Sequence, residues 1–283
     1  MTGPPLRAKV SASPSAEVLL SHVTQPGSGW WQGASPDAEN AVLRGVAFAG
    51  EWQYSRLLAA LPTADRQRLC AQAECVYLRQ GQTLYEADAP LQWVYFPTTA
   101  LVSLSTPDGV DLSFEVATVG REGVVGLPLL SGNFTRSRAV VQIPGKAIRV
   151  RASVLADEIS SQPQIRRLLL AYSQALVVEI MQTALCGRLH PLEQQVARVI
   201  LLRMERLQSE QLSMTQESIA GLLGVRRESV TGAAAKLQQA GGMRYTRGRI
   251  TMLDRGGLEG RACACHRTIR GEFERLLSLQ SAD

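Results

Sequence analysis

The side chains able to do chemistry fall into two groups: a knot of cations toward the C-terminus, and a thin scatter of cysteine and histidine. Between positions 226 and 249 stand Arg226, Arg227, Lys236, Arg244, Arg247 and Arg249 against Glu228 alone, an excess equal to the whole chain's formal net charge of +5. Positive charge gathered in one stretch is the electrostatic footprint of a surface that neutralises phosphates. The three histidines, His22, His190 and His266, all fall outside the segment that reads as β-structure. A metal-using enzyme of the cupin type needs clustered histidines and carboxylates on its strands, so enzymatic catalysis is not expected. Five cysteines (Cys70, Cys75, Cys186, Cys263, Cys265) are an odd number spread over 283 residues, which is not a disulfide framework. Cys263 and Cys265 precede His266, but no second ligand pair lies nearby in sequence. These thiols read as structural, and no metal or cofactor is expected. His190, alone before Pro191, reads as structural, with a haem ligand as its alternative role.

The cations belong to a recognisable motif. Met214-Thr-Gln-Glu-Ser-Ile-Ala-Gly-Leu-Leu-Gly-Val-Arg-Arg-Glu-Ser-Val-Thr-Gly-Ala-Ala-Ala-Lys-Leu has the spacing of a helix-turn-helix. A first helix over 216–223 would be capped by Thr215 or Ser213, and Ser213 with Gln216 also fits a capping box. Gly224 sits where the chain must turn sharply into φ > 0. Ile219, Leu223, Val225, Val230 and Ala233 would share one core, and Ala220 is small where the two helices cross. The second helix, 227–239, would enter the major groove with Arg227, Glu228, Ser229 and Thr231 in its first turns. An arginine there can grip guanine in bidentate fashion, and a glutamate can accept from a cytosine amino group. Glu228 has a plainer role open to it, complementing the helix N-terminus, and Arg226 is a poor N-cap. Arg247 and Arg249, at the tip of two short strands, suit a wing that touches phosphates. Thr215, Gln216, Arg226 and Lys236 complete the expected DNA-contacting set.

The rest of the chain must position this reader. Hydrophobic residues make up 45% and charged residues 19%, the balance of a soluble globular protein. No apolar run is read as long enough to span a bilayer and no secretory signal is evident, so a cytoplasmic location without membrane contact is expected. Residues 1–50 are rich in Ser, Pro, Gly and Ala and read as a disordered tail. Residues 51–160 open with two short helices separated by Pro62, Thr63 being the N-cap of the second. β-rich runs follow at 76–78, 92–96, 101–105, 112–117, 139–143 and 147–150, punctuated by Gly81, Pro107-Asp-Gly, Gly120, Gly132-Asn and Pro144-Gly. Such spacing argues for a small sandwich or barrel. A long helix follows within 161–188, with Ile165, Leu169, Tyr172, Leu176, Ile180 and Ala184 recurring at three or four residues. Leu168, Leu170, Val177 and Met181 make it apolar on more than one face, so one face would cover the β domain and the other meet a symmetry mate over 163–187. Residues 189–283 hold the helix-turn-helix, and the helical tail from 258 to 277 carries Arg261, Arg267, Arg270 and Arg275, expected to be solvated.

In this order the parts resemble the Crp/Fnr (cyclic-AMP receptor and fumarate-nitrate regulator) family over about residues 57–277. Leu57-Leu-Ala-Ala-Leu-Pro, Val94-Tyr-Phe-Pro, Val119-Gly-Arg-Glu-Gly-Val-Val-Gly and Val225-Arg-Arg-Glu-Ser-Val-Thr carry the likeness. It implies an α+β chain: a jelly-roll effector domain, a long dimerisation helix and a winged helix-turn-helix. It implies a homodimeric transcription regulator on a pseudo-palindromic operator, with double-stranded DNA and RNA polymerase as partners. The family's reader helix carries Arg-Glu-x-x-x-Arg; Arg227 and Glu228 match, but Gly232 stands in place of the second arginine, so the operator should differ, with Arg226 or Thr231 left to compensate. Cyclic-AMP binders use a Gly-Glu pair and an Arg-Ser-Ala run. Here the equivalent pocket would be Val125, Gly126, Leu127, Ser137, Arg138 and Ala139. Leu127 cannot accept from a ribose hydroxyl and the Arg-Ser order is reversed, so cyclic AMP is not expected to be the effector.

Overall fold

The computed structural model describes residues 50–106, 114–132 and 134–278. The expected disordered tail and the Pro107-Asp-Gly turn lie outside the described residues, apart from Gly50. Two antiparallel sheets form the N-terminal half, built from strands β1 (Glu74–Leu78), β2 (Thr83–Tyr85), β3 (Trp93–Pro97), β4 (Leu101–Thr106), β5 (Phe114–Val119), β6 (Arg138–Ile143) and β7 (Gly145–Arg151). Their orders are β1-β7-β3 and β2-β6-β4-β5. Val94, Phe96, Val102, Val119, Val141, Ile148 and Val150 pack together in the sandwich core and are shut off from solvent. The β-rich runs read from the sequence are these strands. β2, only three residues long, gives no alternation to detect and was not expected.

Helices cover the sandwich. α1 (Arg56–Ala59) starts at Ser55, whose hydroxyl accepts from the Leu58 amide. α2 (Thr63–Ala71) starts after Pro62, so the N-cap is Pro62 and not Thr63; the fixed φ of proline sets the direction in which the chain enters the helix and Thr63 becomes its first residue. α3 (Ala152–Ser161) leads into α4 (Pro163–Leu189), with Pro163 at the first helical position. Ile165, Leu168, Leu169, Tyr172 and Ala175 of α4 join the sandwich core. Farther along, the buried face turns polar, with Glu179 and Cys186, while Ala184 is exposed. Among the described residues α4 is long and apolar enough to cross a membrane by length and composition. This corrects the expectation that no run reaches that length: between Arg167 and Arg188 only Glu179 is charged. The apolarity has a local cause, because one side of the helix is built into the protein core.

The chain then breaks at His190-Pro191 and continues as α5 (Leu192–Leu207), β8 (Gln211–Ser213), α6 (Gln216–Leu223), α7 (Arg227–Gln239), β9 (Met243–Thr246), β10 (Arg249–Met252), α8 (Arg255–Arg261) and α9 (Ala264–Ser278). β8, β10 and β9 pair in that order. A second core gathers Val196, Ile200, Met204, Ile219, Val230, Leu237, Met243 and Ile250. α9 leaves it and returns to the first core, where Ile269, Phe273 and Leu276 pack with Tyr172; the Phe273 and Tyr172 rings lie 6.0 Å apart. The helical tail is therefore structural. Arg261, Arg267, Arg270 and Arg275 are exposed, as expected, and Arg261, Arg270 and Arg275 also pair with Glu193, Glu274 and Glu272 at 2.8, 2.8 and 2.5 Å.

Candidate nucleic-acid interface

α6 begins where an oxygen is available to close it. The Thr215 hydroxyl accepts from the Ser218 amide at 3.0 Å, so Thr215 is the N-cap. Ser213 is paired with Arg249 in the small sheet instead. α6 ends at Gly224, whose φ of 63° is the left-handed conformation that costs glycine nothing. Ile219, Ala220, Val230 and Ala233 are buried between the two helices, and Leu223 and Val225 are half-buried. Both helix ranges coincide with those read from the sequence. Arg226 occupies the N-cap of α7 without a side-chain cap, as its poor capping chemistry implied.

α7 presents Arg226, Arg227, Glu228, Ser229, Thr231, Gly232 and Lys236 to solvent. The Thr231 hydroxyl donates to Gln216 Oε1 at 2.7 Å, tying the reader helix to the start of α6. Beside it, β9 and β10 are joined by Arg247 and Gly248 with φ of 51° and 78°. Two successive positive φ values make the primed turn that matches strand twist in a two-residue hairpin. Arg244, Arg247 and Arg249 are exposed on this hairpin. The Gly248 carbonyl accepts from the Met214 amide, and the Tyr245 hydroxyl donates to the Met214 carbonyl, each at 2.7 Å. The wing is thus fastened to the start of α6. Among the described residues, no carboxylate pairs with the six clustered cations, whereas Arg255 and Arg261 of α8 and Arg270 and Arg275 of α9 have carboxylate partners. An exposed set of uncompensated cations around a reader helix is what a phosphate backbone requires.

Residues 194–261, which hold this helix pair and wing, match the family model of the Crp-like helix-turn-helix domain. The chain carries a Crp-like DNA-binding domain. The fold as a whole is shared with solved regulators. FixK2 from Bradyrhizobium japonicum matches with a TM-score of 0.58 and 22% identity, over 68% of this chain and 98% of its own. The c-di-GMP-responsive global regulator CLP of Xanthomonas campestris matches at 0.53 and 15%, over 68% and 99%. A CRP-family transcriptional regulator from Thermus thermophilus matches at 0.53 and 19%, over 66% and 95%. No curated protein matches by sequence. The Crp/Fnr resemblance and the α+β architecture are borne out, by the family model over the Crp-like domain and by the fold over the rest.

The residues read as an effector pocket lie in the sandwich. Val125 bridges to Tyr95, Leu127 opens a 3-10 turn (Leu127–Ser131) after Gly126, and Ala139 is buried in β6. The Ser137 hydroxyl is 2.7 Å from that of Thr135, and Arg138 is held by Glu86 at 3.1 Å and Thr83 at 3.0 Å. A cavity of about 430 Å³ lies elsewhere, between α1, α5, α8 and α9, lined by Arg56, Arg121, Glu205, Arg255 and Arg270 among others.

Two constellations escaped the sequence reading. The first joins α5 to its surroundings: Arg203 donates to Glu115 of β5 at 2.5 Å and to Gln142 of β6 at 2.9 Å. Arg206 grips both oxygens of Glu179 at 3.0 and 2.7 Å and meets Glu122 at 3.0 Å. The second is a cluster of metal-ligating side chains. Cys186 and His190 from the end of α4 meet Cys263 and Cys265 at the start of α9, with their ligand atoms all within 4.8 Å of one another. The reading that the cysteines have no second ligand pair is thereby corrected. The pair is Cys186 and His190, four residues apart at the end of one helix, and not His266, whose Nε2 faces Glu205 at 3.1 Å. The Cys-x-x-x-His spacing was the available signal.

Proposed function

We propose that this protein is a homodimeric transcription regulator that places α7 of each protomer in successive major grooves, roughly 34 Å apart on a pseudo-palindrome. The observation that carries this reading is the exposed set of cations, without carboxylate partners, on α7 and the wing of a Crp-like domain. Arg227, Glu228, Ser229 and Thr231 are assigned to base edges, with Arg226 beside them. Thr215, Gln216, Lys236, Arg247 and Arg249 are assigned to phosphates and positioning. The dimer rests on α4: Leu170, Val177, Met181, Leu185 and Leu189 are 43–68% exposed and recur along one side of the helix. A two-fold mate would bury this stripe against its own copy. Residues 51–160 then act as the effector domain, 161–188 as the dimer helix and 189–283 as the DNA-binding part.

The signal received by the sandwich is not cyclic AMP in this reading. The Leu127 position offers no acceptor for a ribose, and Arg138 is already engaged by Glu86 and Thr83. RNA polymerase as a partner, a cytoplasmic location and the absence of enzymatic activity follow from the likeness to transcription regulators. The test is selection of bound fragments from random DNA at two salt concentrations. A two-fold symmetric consensus is expected; salt-sensitive binding without any consensus would overturn the specific-regulator reading.

A further inference from the structure

The four metal-ligating side chains flank the Crp-like domain on both sides. Cys186 and His190 precede residues 194–261, and Cys263 and Cys265 follow them. Cys186 and Cys263, 77 positions apart in sequence, have their sulfurs 3.4 Å apart, and Cys265 Sγ lies 3.5 Å from His190 Nδ1. All three cysteines are buried, and His190 is half-buried. We propose that Cys186, His190, Cys263 and Cys265 form a tetrahedral site for one thiophilic divalent cation, Zn²⁺, which clasps the two ends of the Crp-like domain together.

The separations suit a single ion. Zn–S bonds of about 2.3 Å set at tetrahedral angles put sulfur atoms ~3.8 Å apart, close to the spacing seen. Three thiolates and one imidazole form a standard closed structural zinc set, and soft sulfur ligands select against Mg²⁺ and Ca²⁺. A disulfide between Cys186 and Cys263 would need the sulfurs at about 2.0 Å, and it would leave Cys265 and His190 without a role.

The surroundings supply what such a site needs. Three thiolates around a divalent ion leave one net negative charge, and a buried charge needs a partner. Arg198 provides it. This guanidinium is buried, has no carboxylate partner among the described residues, and leaves its Nε without a hydrogen bond. Its positive charge acts directly on Cys186 and Cys265. Gln195 Nε2 donates to the His190 carbonyl at 2.8 Å and fixes the end of α4 where the imidazole turns inward.

The test is metal analysis of the full-length protein, purified under reducing conditions without chelators. About one zinc per chain is expected, released to a chromogenic chelator when a mercurial blocks the thiols. Cys70→Ser, outside the cluster, should keep the ion. Cys186→Ser, Cys263→Ser and His190→Ala should each lose it or weaken its retention by about 10–100-fold. Because a variant could fail by misfolding, Co²⁺ added to the metal-free wild-type protein gives an independent reading: intense thiolate-to-cobalt charge transfer with tetrahedral ligand-field bands. The proposal is overturned if the wild-type protein takes up neither Zn²⁺ nor Co²⁺, if cobalt binds without thiolate bands, or if the cluster variants retain the ion as Cys70→Ser does.

Discussion

Arg203 and Glu115 meet across the boundary between the Crp-like domain and the β sandwich, Nη2 standing 2.5 Å from Oε1 with both side chains almost wholly removed from solvent. The same arginine takes Gln142 on β6, so α5 is keyed to two strands of one sheet. Removing one partner strands a buried charge, which costs about 3–5 kcal/mol. Arg203→Ala and Glu115→Ala should each lower stability by that order in urea unfolding. The double replacement Arg203→Met with Glu115→Leu should recover much of the loss, because no uncompensated charge remains. Equal losses in the single and double variants would refute the pairing as the source of the effect.

Reading and positioning should separate at the DNA surface. Arg227→Ala is expected to relax choice at one base position and to cost about 1–3 kcal/mol of binding to the selected operator. Arg247→Ala should weaken all sequences alike and reduce the salt slope by about 1. Titrations on operator and random DNA over a range of salt check both. If the two variants behave identically, the division of labour between α7 and the wing is wrong.

The exposed stripe on α4 makes an oligomeric prediction. Met181→Glu together with Val177→Glu puts charge in the middle of the expected dimer seam while touching solvent in an isolated chain. Sedimentation should show wild type as a dimer and the variant as a monomer with its helical content unchanged. A monomeric wild type would remove the two-fold model of operator binding.

Acidity should act through Glu122. Burial pushes its carboxyl up, against the attraction of Arg206, while Glu179 adds further negative charge and Tyr172 and Arg121 lie close by. The folded state therefore holds this proton more tightly than the unfolded chain does. Its contribution is full below the ordinary carboxylate range and falls as pH rises through the raised folded value. Glu122→Gln removes the titrating group beside the Arg206–Glu179 pair and should flatten this part of the stability profile. Urea midpoints between about pH 5 and 8 measure it; an unchanged slope would show that Glu122 is ionised throughout.

The reader was legible because its signals are local. Thr215, Gly224 and the apolar positions from Ile219 to Ala233 lie within one short stretch, and each is decided by backbone chemistry. The strands were legible for the same reason, except β2, which is too short to show alternation. What joins the halves was not legible. Arg203 and Arg206 look like the solvated side of an amphipathic helix until partners 88 and 27 positions away are brought to them. The cysteine cluster hid in the same way, since Cys186 and Cys263 come together only after α9 packs back along α4. Sequence spacing reports which residues share a helix face, and it is silent on which distant face will oppose them.

The two-residue turn of the wing, bonded through Gly248 and Tyr245 to the chain just before α6, gives the DNA-contacting surface its shape before any DNA arrives. Little backbone freedom is left to freeze on docking, so complex formation becomes a matter of collision and orientation. Salt should then act mainly on how fast protein and operator find each other, and base identity on how long they stay together.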